Sequence, residues 1–142
     1  MQDRSLPPAE EATEQPAVAV VALVVDLIFA SRIRGTAQAA GVQATTVRSA
    51  AELLQRAGEL QPRLILVDLD ARAADPPAVI ARLREDPQTR DIPIVAFGSH
   101  VQREAIEAAR AAGADRVLAR SAFVRELPFL LRRLDGPGTE GE

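Results

Sequence analysis

The chain has 142 residues, of which 47% are hydrophobic and 26% charged, enough for one domain with a buried core and unlike the composition of disordered chains. It contains no cysteine and a single histidine, which excludes disulfides, thiol nucleophiles, thiolate metal sites and histidine-rich metal clusters. Its net charge of −3 and its four aromatic residues, all Phe, argue against direct binding of nucleic acid.

The two ends of the chain are predicted to be disordered tails. Residues 1–16 are rich in Glu, Ala and Pro without apolar periodicity, and residues 135–142 consist mainly of glycine and acids. The N-terminus has no apolar signal core, and the longest apolar run, residues 17–25, is far shorter than the ~20 residues of a membrane span. We therefore expect one domain over residues 17–134, a cytoplasmic location and no membrane association.

The first half of this domain contains two predicted strand and helix pairs. Residues 18–25 are an apolar run that ends at Asp26, as is typical of a buried parallel strand, and apolar residues at helical spacing predict a helix over residues 29–40. A strand over residues 42–47 follows. Ser49 and Glu52 have the form of a capping box, which predicts the start of a second helix.

The middle of the domain repeats the pattern twice. Residues 64–67 form a second apolar run that ends in an acid, Asp68, and the sequence Asp75-Pro76 predicts a helix capped by Asp75. A third run, residues 92–97, leads to Gly98. Residues 99–102 form another apparent capping box, which predicts a fourth helix.

The last pair consists of a strand over residues 116–119 and a helix over residues 123–134, which Pro128 is predicted to kink or to divide. Five alternating pairs predict an α/β fold of the (βα)5 type, a flavodoxin-like three-layer sandwich with a five-stranded parallel sheet and five helices. Because ligands bind outside the carboxyl ends of such strands, Asp26, Asp68 and Gly98 are expected to converge on one site. The sequence has no dinucleotide fingerprint and no P-loop, which disfavours the nucleotide-binding variants.

The sequences Ile65-Leu-Val-Asp68, Ile92-Pro-Ile-Val-Ala-Phe97 and Ala112-Gly-Ala-Asp-Arg-Val-Leu-Ala-Arg120, together with Asp26, resemble the receiver domain of two-component response regulators. The resemblance covers residues 17–134. It implies that Asp68 is the equivalent of the phosphoacceptor, which holds a divalent metal together with an acidic pair after the first strand. Asp26 can match either member of that pair, and Leu27 rather than a second acid follows it. We therefore expect Asp26 and Asp68 to bind Mg2+ weakly if at all, and no cofactor to be required.

The residues that sense the phosphoryl group in this family are a Ser or Thr, an aromatic residue and a Lys-Pro pair. The corresponding positions are Gly98, Val117, Arg120 and Ser121, so every one is replaced. We therefore predict an atypical, pseudo-receiver variant with impaired or absent phosphoryl switching. The resemblance places Arg120 and Asp68 at neighbouring positions of the site, and arginine favours bidentate contacts with carboxylates, so we hypothesise from the matched positions that Arg120 pairs with Asp68.

Ser99 and His100 are neighbours of the predicted pocket. Ser99 is explained better as a helix cap than as a substitute hydroxyl, and His100 is explained better as a solvent-facing residue than as a pH sensor or phosphoryl carrier. Asp70 and Arg72 are most simply solvated loop residues. The functional interpretations of Ser99 and His100 remain open alternatives.

The function predicted from the sequence is signalling through protein–protein interaction, without enzymatic activity. The resemblance implies a partner surface over residues 101–134, including Phe123 and Arg125, with other signalling proteins or a histidine kinase as partners and a monomeric or weakly dimeric state. The alternative is a working receiver that is phosphorylated on Asp68 in a phosphorelay. A small α/β enzyme is disfavoured because the sequence has neither cysteine nor a Ser-His pair in a nucleophile elbow.

Overall fold

A computed structural model describes residues 17–99 and 103–134. In this part of the chain, five parallel strands form one sheet and alternate with five helices, which confirms the predicted α/β flavodoxin-like fold. The strands are β1 (Val18–Leu23), β2 (Gln43–Val47), β3 (Leu64–Asp68), β4 (Ile94–Gly98) and β5 (Arg116–Ala119). The helices are α1 (Leu27–Ala39), α2 (Ala50–Leu60), α3 (Pro76–Glu85), α4 (Arg103–Ala112) and α5 (Arg120–Arg132), and a short 3-10 helix spans Arg72–Ala74. None of the helices in the described ranges is both long and apolar enough to cross a membrane.

The order of strands across the sheet is β2-β1-β3-β4-β5. The chain therefore moves outward from β1 to β2 and then returns past β1 to β3, which creates a switch point between β1 and β3. Leu23 of β1 pairs with Val67 of β3, and Asp68 pairs with Phe97 of β4. This register brings the segment after β1 beside the acid that ends β3.

The sheet separates two hydrophobic layers. Because side chains alternate along each strand, Val20 and Ala22 pack on the side of α1 and α5, whereas Val21 and Leu23 pack on the side of α2, α3 and α4. Three of the four Phe residues lie in the first layer: Phe97 and Phe123 are stacked with ring centroids 4.1 Å apart, and Phe29 is 5.5 Å from Phe97. Apolar packing on both faces explains the nearly continuous apolar sequence of β1, β3 and β4.

Phe123 does not form part of a partner surface as the sequence interpretation proposed, because its side chain is fully buried in this aromatic stack. Arg125, two residues later on α5, is exposed as a surface role requires. The helical period explains the difference, since Phe123, Leu127 and Leu131 all face the sheet.

Two predicted helix starts have different outcomes. Ser49 caps α2 as predicted, its hydroxyl accepting a hydrogen bond from the backbone N–H of Glu52 at 3.1 Å. Asp75 precedes α3 but makes no capping hydrogen bond with its side chain, and its φ of 55° lies in the left-handed region. The prediction of an Asp75 cap is therefore wrong, and Pro76 begins the helix with the favourable φ of its ring.

Of the two effects predicted for Pro128, a kink or a division of the last helix, the division is wrong, because α5 continues from Arg120 to Arg132. A proline removes one backbone hydrogen bond from a helix. The neighbouring side chains Leu127 and Leu131 are buried, and their packing against the sheet supports the helix across this position.

Candidate functional site

The candidate site lies at the carboxyl ends of β1, β3 and β4, where the sequence placed it. Asp68, the last residue of β3, is almost completely buried. Its Oδ1 accepts a hydrogen bond from the backbone N–H of Asp70 at 2.9 Å, whereas its Oδ2 has no hydrogen-bond partner within the described residues. A buried carboxylate with one unpaired oxygen is costly, because it has lost its hydration without full replacement.

The electrostatic surroundings of Asp68 are unbalanced. Burial raises the pKa of the Asp68 carboxyl above its ordinary value, and the negative charges of Asp70 and Asp26 raise it further. The hydrogen bond from the Asp70 backbone and the positive charge of Arg120 lower the pKa of Asp68, but they do not offset burial. The site therefore favours the neutral form of Asp68 more than water does.

Arg120, the first residue of α5, extends its guanidinium between three carboxylates. Its Nη2 is 3.9 Å from Oδ2 of Asp68 and 3.5 Å from Oδ2 of Asp70, and its Nη1 is 3.9 Å from Oδ2 of Asp26. These distances are within the range of ion pairs but longer than those of good hydrogen bonds. The guanidinium thus lies beside Asp68, as our hypothesis requires, but it is shared with two further acids.

Asp26 has a structural role that the sequence interpretation did not assign. It is the N-cap of α1, and its Oδ1 accepts hydrogen bonds from the backbone N–H groups of Ile28 and Phe29 at 2.9 and 3.1 Å. For this reason α1 begins at Leu27, two residues before the predicted start. Only the second oxygen of Asp26 remains to face Arg120.

Asp70 is not simply a solvated loop residue, since its Oδ2 accepts hydrogen bonds from both the backbone N–H and the hydroxyl of Ser99, at 3.0 and 2.9 Å. The Ser99 hydroxyl thus joins the loop after β4 to the loop after β3. The capping box predicted for α4 also involves residues 100–102, including His100, which lie outside the described residues. The sequence signal that could have placed Asp70 in the site is its position two residues after Asp68, the acid that ends β3.

A cleft of about 740 Å³ opens beside Asp26 and Arg120. The predicted positions Asp26, Gly98, Ser99, Arg120 and Ser121 line it. The predicted positions Val117 and Asp68 do not line the cleft. Val117 packs against the hydrophobic layer on the side of α2, α3 and α4, and only 1% of the Asp68 side chain is exposed. Arg120 therefore lines the cleft, whereas Asp68 is withdrawn from solvent.

The residues present do not fit the divalent metal that the family resemblance implies. Both neighbours of Asp26 in the sequence are apolar, and Leu27 is 64% exposed, so neither supplies a second carboxylate. No group of three or more His, Cys, Asp or Glu side chains in residues 17–99 and 103–134 is arranged to hold a metal ion. A hard divalent cation requires several oxygen ligands, and here the free carboxylate oxygens are already beside a guanidinium.

The backbone is similar to those of solved response regulators. A putative response regulator from Chloroflexus aurantiacus superimposes with a TM-score of 0.73 and 22% identity over 84% of this chain and 98% of the other. A response regulator from Hahella chejuensis superimposes with a TM-score of 0.74 and 19% identity, over 84% of this chain and 96% of the other. The chemotaxis response regulator CheY4 of Vibrio cholerae superimposes with a TM-score of 0.72 and 20% identity, over 83% of this chain and 98% of the other. The chain has the receiver fold. At the level of sequence, no protein-family model and no curated protein matches.

Proposed function

We propose that the chain is an atypical receiver-like signalling domain, a pseudo-receiver, that acts through protein–protein interaction and whose phosphoryl switching is impaired or absent. One observation carries this proposal: Asp68 is buried, and the residue 3.9 Å from its Oδ2 that lines the cleft is Arg120. Phosphoryl transfer to a carboxylate requires the donor to approach one of its oxygens in line. In this arrangement, Arg120 would have to move before a donor could reach Asp68.

The residues that would transmit phosphorylation are also replaced. Gly98, the last residue of β4, has no side-chain hydroxyl. Val117 packs against the hydrophobic layer on the side of α2, α3 and α4. Ser99 has a hydroxyl beside the site, but that hydroxyl already donates a hydrogen bond to Asp70. A phosphoryl group on Asp68 would therefore find no free hydroxyl or mobile aromatic side chain at the positions where the family has them.

The proposed partner surface is the face formed by α4, β5 and α5, on which Arg125 is exposed. Phe129 of α5 is 62% exposed and lies under the guanidinium of Arg132. Partners of the signalling class, including histidine kinases, are consistent with the receiver fold. One solved neighbour is described as the receiver domain of a signal transduction histidine kinase from Syntrophus aciditrophicus.

A second candidate function is a working receiver that is phosphorylated on Asp68. The observation that favours it is the unpaired Oδ2 of Asp68, the atom expected to attack a phosphoryl donor. The two candidates differ in their response to a phosphoryl mimic.

The deciding experiment records amide NMR spectra of the whole chain with Mg2+ and beryllium fluoride. We expect no specific shifts, and the Asp68→Asn variant serves as the control. Saturable shifts centred on Asp68, Asp26 and Gly98 that disappear in the variant would refute the pseudo-receiver proposal in favour of phosphorylation. Incubation with acetyl phosphate followed by intact-mass measurement tests the same point by covalent labelling.

A further inference from the structure

The position of Arg120 has a consequence for the metal chemistry of the pocket. Its guanidinium lies within 4 Å of three carboxylate oxygens, one each from Asp26, Asp68 and Asp70. Asp68 and Asp70 lie at the end of β3 and in the loop after it, whereas Asp26 lies after β1, so the fold brings two separate segments around one cation. At this place, a receiver with the usual acids would bind a divalent metal.

Two of the other carboxylate oxygens of these acids accept hydrogen bonds from backbone N–H groups. Oδ1 of Asp26 caps α1, and Oδ1 of Asp68 accepts the backbone N–H of Asp70. Oδ2 of Asp70, which faces Arg120, also accepts two hydrogen bonds from Ser99. The negative charge that remains for a cation is therefore directed at the space that the guanidinium already fills.

Two features hold Arg120 in place. Its guanidinium carbon lies 4.2 Å from the centre of the Phe29 ring, a favourable cation–π geometry, and Phe29 is itself fixed in the core stack. The side chain is only 27% exposed. Arginine also remains charged at all physiological pH values, so the pocket cannot lose this cation by deprotonation.

We propose that Arg120 acts as a tethered cation that takes the place of the divalent metal and excludes such a metal from the pocket. Two like charges within a few ångströms repel strongly in a partly buried site, so a metal ion would have to displace the guanidinium before it could bind. This inference rests on the proposed pseudo-receiver function and gives it a physical cause. It replaces the weak Mg2+ site that the sequence suggested.

Mn2+ provides the test, because it is paramagnetic and broadens amide resonances near its binding site. We expect no saturable broadening around residues 68–70 in the natural chain. The Arg120→Met variant, which keeps an apolar stem against Phe29 but removes the charge, should bind Mn2+ at least ~10-fold more tightly, since it removes a unit charge about 4 Å from the acids. Arg125→Met, an exposed arginine on the same helix, is the matched control and should bind like the natural chain.

Binding of Mn2+ by the Arg120→Met variant must depend on Asp68. Adding Asp68→Asn to Arg120→Met should abolish the gain in Mn2+ binding, which distinguishes the pocket from general attraction to an acidic surface. Circular dichroism checks that each variant is folded, and Arg120→Gln repeats the test should Arg120→Met fail to fold. Saturable Mn2+ binding at Asp68 in the natural chain would overturn the inference, as would Arg120 variants that gain no binding.

These outcomes are separable from failure of the proposed function. Mn2+ binding by the natural chain without a response to beryllium fluoride would refute metal exclusion and leave the pseudo-receiver function standing. A response of the natural chain to Mg2+ and beryllium fluoride at Asp68 would refute both.

Discussion

The guanidinium carbon of Arg120 lies 4.2 Å from the centre of the Phe29 ring, so the cation at the mouth of the acidic pocket rests on the aromatic core. Phe29 contacts Phe97 and Phe123, whose rings are stacked 4.1 Å apart. The pocket and the hydrophobic layer beneath α1 and α5 are thus one connected structure. A change in Phe29 should affect both the stability of the fold and the position of Arg120.

We expect Phe29→Leu to lower the free energy of unfolding by about 1–3 kcal/mol, because it removes aromatic packing and the cation–π contact while keeping an apolar side chain. Urea denaturation followed by circular dichroism measures this change. Phe129→Leu is the matched control, since Phe129 is 62% exposed, and it should change stability by less than about 0.5 kcal/mol. Equal effects of the two substitutions would contradict the structural account.

The raised pKa of Asp68 predicts how stability depends on pH. Because the folded pKa is above the unfolded value, the ionised carboxylate opposes folding, and the contribution of Asp68 to stability falls as the pH rises through the folded pKa. Asp68→Asn should therefore raise the melting temperature at neutral pH. The difference should disappear below the unfolded pKa, where Asp68 is protonated in both states.

Thermal melts of the natural chain and Asp68→Asn over a range of pH values provide the measurement. A variant that melts lower than the natural chain at neutral pH would show that the attraction between Asp68 and Arg120 outweighs the cost of burial.

The link between Asp70 and Ser99 predicts a coupling between the loops after β3 and β4. Ser99→Ala removes one charge-assisted hydrogen bond and should cost about 1–2 kcal/mol. A double-mutant cycle with Asp70→Ala measures the coupling, which we expect to be of the same size. Ser121→Ala, an exposed serine on the same cleft, serves as the control and should be close to neutral. Strict additivity of Ser99→Ala and Asp70→Ala would exclude the link.

Arg84 connects α3 to the segments before β4 and β5. Its guanidinium donates to the carbonyls of Gly113, Arg90 and Ile92 and forms an ion pair with Asp115 at 2.7 Å. A lysine at this position cannot reproduce the geometry of these contacts, so Arg84→Lys should lower the free energy of unfolding by about 1–3 kcal/mol. Chemical denaturation tests this, with the exposed Arg82→Lys as the control. Indistinguishable midpoints for Arg84→Lys and Arg82→Lys would argue against a structural role for Arg84.

The alternation of apolar runs and helical stretches was sufficient to predict the order and type of all five strands and five helices. This succeeded because a strand buried on both faces must be apolar over its whole length, and such runs are visible in β1, β3 and β4 without knowledge of the fold. The capping role of Ser49 was equally local, since a cap and its helix are adjacent in sequence. The absence of a side-chain cap at Asp75 and of a division of the helix at Pro128 concerns sites where backbone conformation or tertiary packing overrides the local signal.

The sequence by itself determined which acids follow the strands, since this depends on residue identity and spacing along the chain. Only the tertiary structure decided how those residues combine. Arg120 is 52 residues from Asp68 in the sequence, yet its guanidinium lies among Asp26, Asp68 and Asp70 because β1, β3 and β5 end at the same edge of one sheet. The hydrogen bonds between Asp70 and Ser99 likewise arise from contacts between distant segments, which no local pattern specifies.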